Sequence, residues 1–250
     1  MIMKKLIFTT MALAFAAAAG NFVLATDNPL HGKIIALDAG HGGGDTGATN
    51  VVNGITVTEA DLNGDVVAAL ATKLTVRNAA VVIADRLSSR KDRVDDVLAK
   101  CAALDLNGDG TADGRKCDVL VSVHHNSASD PAHDGTLAIY NEKKDKPLAE
   151  KLLAALTPLT GRGEGLENGG YGMTVYGNLV SVITEAYYIT NDCEAELYLY
   201  ATGQLADTSQ SCQDSGYALE NRVDHEAQLQ VDGLSNYFGS QTGGKGGRPR

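Results

Sequence analysis

Three observations in this 250-residue sequence predict an α/β fold: a single domain built on a twisted, mostly parallel (mixed) β-sheet flanked by helices. Short apolar runs rich in β-branched residues alternate with longer runs of helical period. Several chemistry-bearing side chains fall at the ends of those short runs, where ligands gather in open α/β sheets. No internal repeat or linker divides the region.

Residues 1–25 read as a signal peptide. Lys4 and Lys5 give a basic start, Leu6 to Ala19 an apolar middle, and Val23-Leu24-Ala25 a small-residue exit, with a cut after Gly20 as second choice. The apolar stretch is too short and alanine-rich for a membrane span, and no later run is long enough, so the expectation is an exported protein, periplasmic or extracellular. After a short lead at 26–32, the folded domain is expected over 33–238. The Gly, Lys, Arg and Pro composition of 239–250 reads as a disordered tail.

Within the domain, Lys33 to Leu37 reads as a buried strand running into a glycine-rich turn that presents His41. The turn's spacing fits neither phosphate-binding glycine motif, and Thr46 to Thr58 is no helix. Glu59 to Arg77 has helical spacing, with Thr58 as N-cap and Glu59 in the first turn. Ala80 to Ala84 is strand-like, Asp92 to Leu104 helical, and Asp118 to Val123 the strongest strand, ending in His124-His125-Asn126. Gly135 to Tyr140 reads as strand, Lys146 to Leu156 as helix and Gly161 to Gly172 as a loop. Leu179 to Ile183 is a last strand ending in Thr184-Glu185. Asp192 to Phe238 is mostly helical, broken around Thr208 to Gly216.

Net charge is −10, or −12 without Lys4 and Lys5, which disfavours nucleic acid and anionic lipid as partners. Four cysteines in an exported chain suggest two disulfides. Sequence neighbours favour Cys101 with Cys117 and Cys193 with Cys212, although three pairings exist. Asp105, Asn107, Asp109 and Asp113 alternate oxygen ligands as in a calcium loop, but Lys116 stands where the closing Glu belongs. Calcium binding and a plain solvated acidic turn both stay open.

Two histidines and one carboxylate suit zinc, and a second carboxylate can then move protons. His41, Glu59 and His124 fill the first set and Glu185 the second role. A packed histidine in a tight turn is the plainer reading of His41 alone; the downstream company argues against it. Strand alternation turns His125 away from His124, toward the pocket wall or a supporting role. Asp38 and Asn126 are candidate braces for the histidines. His31, His133 and His225 read as surface or loop residues, and Glu164, Glu167, Glu194 and Glu196 as solvated.

Four ordered blocks carry a family resemblance. Asp38-Ala39-Gly40-His41-Gly42-Gly43 with Asp45 and Gly47-Ala48, Glu59 with Leu62-Asn63, Ser122-Val123-His124-His125-Asn126, and Glu185 with Ile189-Thr190-Asn191 together resemble the zinc-dependent N-acetylmuramoyl-L-alanine amidases of the Amidase_3 type. The likeness runs from about Lys33 to Leu197. It implies zinc held by His41, Glu59 and His124, Glu185 as catalytic glutamate, and peptidoglycan as substrate. The implied reaction is cleavage of the amide between N-acetylmuramic acid and L-alanine. Ala60 stands where the family often has Lys, and Ala186-Tyr187-Tyr188 replaces Thr-Gly-Phe, so that Tyr187 would narrow the pocket. Another zinc hydrolase, a peptidase or deacetylase, and a wall-binding module without activity are the rival readings. The segment between His124 and Glu185 leaves little room for the long occluding helix that silences some members, so an open cleft is expected.

Overall fold

The structure, a computed structural model, describes residues 28–242. Strand β1 (Ile34–Ala39) is buried at every position. The expected second strand, β4 (Ala80–Ile83), pairs with it in parallel on one side and β5 (Val119–Asn126) on the other. Beyond β5 lie β8 (Ser181–Tyr188), parallel to it, then β6 (Thr136–Tyr140), antiparallel to β8, and β7 (Gly163–Asn168), parallel to β6. This is the mixed, mostly parallel sheet that the sequence predicts.

Because side chains alternate across a strand, the sheet buries two apolar surfaces. Ile35, Leu37, Val121 and Val123 pack against α1 (Glu59–Val76), α3 (Lys146–Leu156) and α7 (Arg222–Thr242). Ile34, Ala36, Leu120 and Ile183 face α2 (Arg90–Ala102) and the short α4 (Gly172–Val175). Thr58 caps α1 by accepting from the Asp61 amide, as the sequence suggests.

As expected, the stretch from Thr46 to Thr58 is not a helix, and expectations further along the chain are corrected. Thr46 to Thr58 is a hairpin, β2 (Thr49–Val52) and β3 (Ile55–Thr58), closed by Asn53 and Gly54, both at positive φ. The glycine-rich segment 161–172 is not all loop, because β7 completes the sheet edge there. Strands β5 and β8 run past their expected ends, so Glu185 lies within β8. A helical turn, α6 (Gln210–Asp214), occupies part of the expected break after α5 (Asp192–Ala201). Helix α7 continues through Thr242, past the expected tail boundary at Gly239. The expected signal peptide and the rest of the tail lie outside the described residues.

Cys101 is bonded to Cys117 and Cys193 to Cys212. The first bridge clips the acidic turn against α2. In that turn Asp105 accepts from the amides of Gly108, Asp109 and Gly110, and Asp113 from that of Leu106. The carboxylates are spent on their own loop, and the calcium reading finds no support. Among the described residues no helix is long and apolar enough to cross a membrane.

Candidate active site

The glycine turn after β1 places His41 at φ 60°, a left-handed conformation uncommon outside glycine. Two arginines hold it there. Arg93 donates to the carbonyls of Ala39 and His41, at 3.0 and 2.7 Å, and Arg86 donates to that of Gly40 at 3.2 Å. Neither arginine stands out in the sequence, since isolated cations carry no motif. With the carbonyls taken up behind, the imidazole projects forward. Asp45 then fixes its direction, receiving a hydrogen bond from Nδ1 at 2.9 Å and leaving Nε2 to face the site.

Glu59 opens α1 and is 4% exposed. Its Oε2 lies 3.1 Å from His41 Nε2 and its Oε1 2.9 Å from His124 Nδ1. Burial works against ionisation of this carboxyl; the hydrogen bonds of His124 and His41, with the Ala48 amide, overcome it and hold the group well below the usual carboxylate range. The same contact with Glu59 lifts the His41 imidazole to about 9. Among the described residues, His41, Glu59 and His124 are the only group of three or more His, Cys, Asp or Glu side chains whose ligand atoms all lie within 4.8 Å of one another. Two imidazoles and a carboxylate at that separation form a donor set suited to a zinc-like cation.

The space around the donors admits no extra carbon. A Cβ on Gly40 would meet the His124 ring at 2.3 Å, and one on Gly47 would lie 2.5 Å from Glu59 Oε2 and 2.7 Å from His41 Cδ2. Both glycines of the sequence pattern are therefore required by close approach.

Glu185 is the register partner of His124 across the β5–β8 ladder, so the two side chains emerge side by side on one face. Burial, with Glu59 nearby, pushes its carboxyl up to about 8. Its Oε2 is enclosed and has no hydrogen-bond partner. A cleft of about 270 Å³ opens in front, lined by His41, His124, Glu185, Glu167, Tyr171 and Arg90 among others.

The supporting residues depart from expectation. Asp38 contacts neither histidine; it accepts from Arg93 and Ser122, bracing the turn from behind. Asn126 accepts from the Ser127 amide and lines the cleft. His125 does face away from His124, but into the core: its Nδ1 donates to Asn63 Oδ1 at 2.7 Å and its Nε2 lies 2.9 Å from Glu226 Oε2. Asn63 in turn donates to Glu59 Oε1 at 3.4 Å and to the Gly40 carbonyl at 3.1 Å. Tyr187 is fully buried against His125, with ring centroids 4.3 Å apart, and does not narrow the pocket.

The four acids expected to be solvated are all engaged. Glu194 pairs with Arg222, Glu196 accepts from the Ser209 amide, Glu164 binds His133 and Tyr188, and Glu167 accepts from Tyr171 at the cleft. Tertiary packing around α5 buries Glu194 and Glu196, while Glu164 and Glu167 on β7 stay partly exposed. The signal for Glu226 was present in the sequence: Glu226 and Gln230 share a helix face with Ala227, Val231 and Leu234.

The family model described as N-acetylmuramoyl-L-alanine amidase, Amidase_3, matches residues 35–209. The chain is 27% identical over 176 residues to the N-acetylmuramoyl-L-alanine amidase LytC of Bacillus subtilis (strain 168), covering 67% of this chain and 32% of LytC. It therefore spans about a third of that relative's length. It is 29% identical over 201 residues to the uncharacterized protein YqiI of the same organism, covering 78% of this chain and 87% of YqiI. Two solved structures share the fold. The catalytic domain of CwlV, an N-acetylmuramoyl-L-alanine amidase from Bacillus (Paenibacillus) polymyxa var. colistinus, superposes with a TM-score of 0.60 at 21% identity, covering 82% of this chain and 97% of that one. An N-acetylmuramoyl-L-alanine amidase from Clostridium difficile 630 gives 0.62 at 21%, covering 84% and 99%.

Proposed function

The chain belongs to the Amidase_3 family of N-acetylmuramoyl-L-alanine amidases, and from that premise we propose that it is an exported, zinc-dependent peptidoglycan hydrolase that cuts the amide joining the lactyl group of N-acetylmuramic acid to L-alanine. In this reading His41, Glu59 and His124 hold zinc and Glu185 is the catalytic acid and base. Residues 1–25 direct export, and the folded domain that follows carries the activity. The observation that carries the proposal is the convergence of two imidazoles and a buried carboxylate within 4.8 Å, with a second carboxyl on the adjoining strand.

Zinc, when bound, supplies a Lewis acid that lowers the pKa of a water and polarises the amide carbonyl. The chain's own groups do the rest. Asp45 holds the His41 proton on Nδ1, which keeps the Nε2 lone pair toward the ion. Glu185, in its ionised form and with Oε2 free of protein partners, takes a proton from the attacking water and returns it to the departing alanine nitrogen as the C–N bond breaks. The open cleft leaves these groups within reach of a peptide stem, and α3, the helix of 11 residues between His124 and Glu185 in the chain, packs on β6, β8 and α7.

The test is digestion of purified sacculi with metal analysis alongside. We expect zinc in the protein and free, untrimmed stem peptides with alanine at their amino ends among the products. Glu185→Ala should retain zinc and lose cleavage by at least about a hundredfold. Release of acetate or of shortened stems would favour a deacetylase or peptidase, and near-normal cleavage by Glu185→Ala would remove Glu185 from its role.

A further inference from the structure

Arg90 is the first residue of α2, next to the Ser89 N-cap. A cation there faces the positive end of the helix dipole, so its position is not explained by helix stability. Its neighbours Arg86 and Arg93 are consumed by backbone carbonyls of the glycine turn. The Arg90 guanidinium, by contrast, makes no hydrogen bond or ion pair among the described residues.

The side chain is nevertheless directed. A Cβ built on Gly172 would lie 2.7 Å from both Cβ and Cδ of Arg90, so the glycine lets the arginine's stem rest against the start of α4. Arg90 lines the cleft containing His41, His124 and Glu185, and among the described residues it is the only Lys or Arg lining that cleft. In a chain of net charge −10, with Glu167 and Glu185 on the same wall, an unpaired guanidinium beside the His41, Glu59 and His124 cluster offers a planar partner for an anion.

We propose that Arg90 determines substrate specificity by binding a free carboxylate on the stem peptide close to the scissile amide. The inference rests on the amidase reading. The acidic second residue of a stem is joined through its side-chain carboxyl, which leaves an α-carboxylate one residue beyond L-alanine. Walls that amidate this group remove the charge. Guanidinium and carboxylate match as planar, bidentate partners.

The experiment uses the zinc-loaded protein and two soluble muropeptides with full stems, differing only in whether that α-carboxylate is free or amidated. Wild type should prefer the acidic substrate by about tenfold in kcat/KM, a modest charge-assisted contact at a solvated wall. Arg90→Met, which keeps the stem on Gly172, should bring the ratio close to one through a raised KM for the acidic substrate. Arg90→Lys should keep part of the preference. Equal cleavage of both substrates by wild type, or a preference that survives Arg90→Met, overturns the assignment of Arg90 and leaves the amidase reading standing. Cleavage of neither by wild type ends the amidase reading and this one with it.

Discussion

Glu185 Oε2 is enclosed without a partner, and its carboxyl is pushed up to about 8. That arrangement costs the folded state something at neutral pH, and the cost has a definite sign. An unfolded chain releases this proton near the ordinary value of 4.5 while the folded protein keeps it until about 8. Between those values the folded state binds more protons, so stability falls as pH rises, by at most about 1.4 kcal/mol per pH unit. Glu185→Gln removes the titration. In metal-free protein, urea unfolding at pH 5, 6.5 and 8 should show the variant gaining on wild type as pH increases. A difference that stays constant with pH would mean the carboxyl is not raised. At this scale the sequence was informative about identities: His41, Glu59, His124 and Glu185 all belong to recognisable blocks, and Gly40 and Gly47 are small because the imidazoles and Glu59 lie against them. It was silent on Arg86, Arg93 and Arg90, whose roles depend on which carbonyl or cleft each reaches.

Helix α7 shows what an element contributes from outside the pattern. One of its faces is apolar, with Ala227, Val231 and Leu234 packed over α1, and Glu226 interrupts that face to meet His125. Both side chains of the pair are fully buried. Removing one partner leaves a polar group in the core without compensation, so Glu226→Ala should lower stability by about 3 kcal/mol. Glu226→Gln, which keeps an oxygen near Nε2, should lose less. Urea midpoints measure both, and equal small effects would show that the contact contributes little. Because His125 also fixes Asn63, which donates to Glu59, the helix is tied to the donor set by consecutive hydrogen bonds. Strand β5 does the complementary work: alternation sends His124 to the cleft and His125 to the core from adjacent positions.

For the molecule as a whole, the family match ends at residue 209 while the core does not. Val231, Leu234, Tyr237 and Phe238 belong to the same buried cluster as Leu62, Leu70 and Leu152. A chain ending at residue 220 would uncover those residues. We expect it to lose the cooperative thermal transition of the full protein, followed by circular dichroism; a sharp transition near the original temperature would show that the sheet and its remaining helices are self-sufficient. The alternating pattern of short apolar runs and helical periods determined the fold class, because burial on two sheet faces and on one helix face writes itself into local spacing. The strand-end placement of His41 and His124, the start of α1 at Glu59 and the neighbouring cysteine pairs followed from the same local rules. Only the tertiary structure decided that those donors converge, that Glu167 lines the cleft, that Glu194 is buried, that Glu226 meets His125, and that Tyr187 points into the core. Those outcomes depend on contacts between residues such as 59 and 124 or 125 and 226, far apart in the chain, and no local period records which distant surface a side chain will meet.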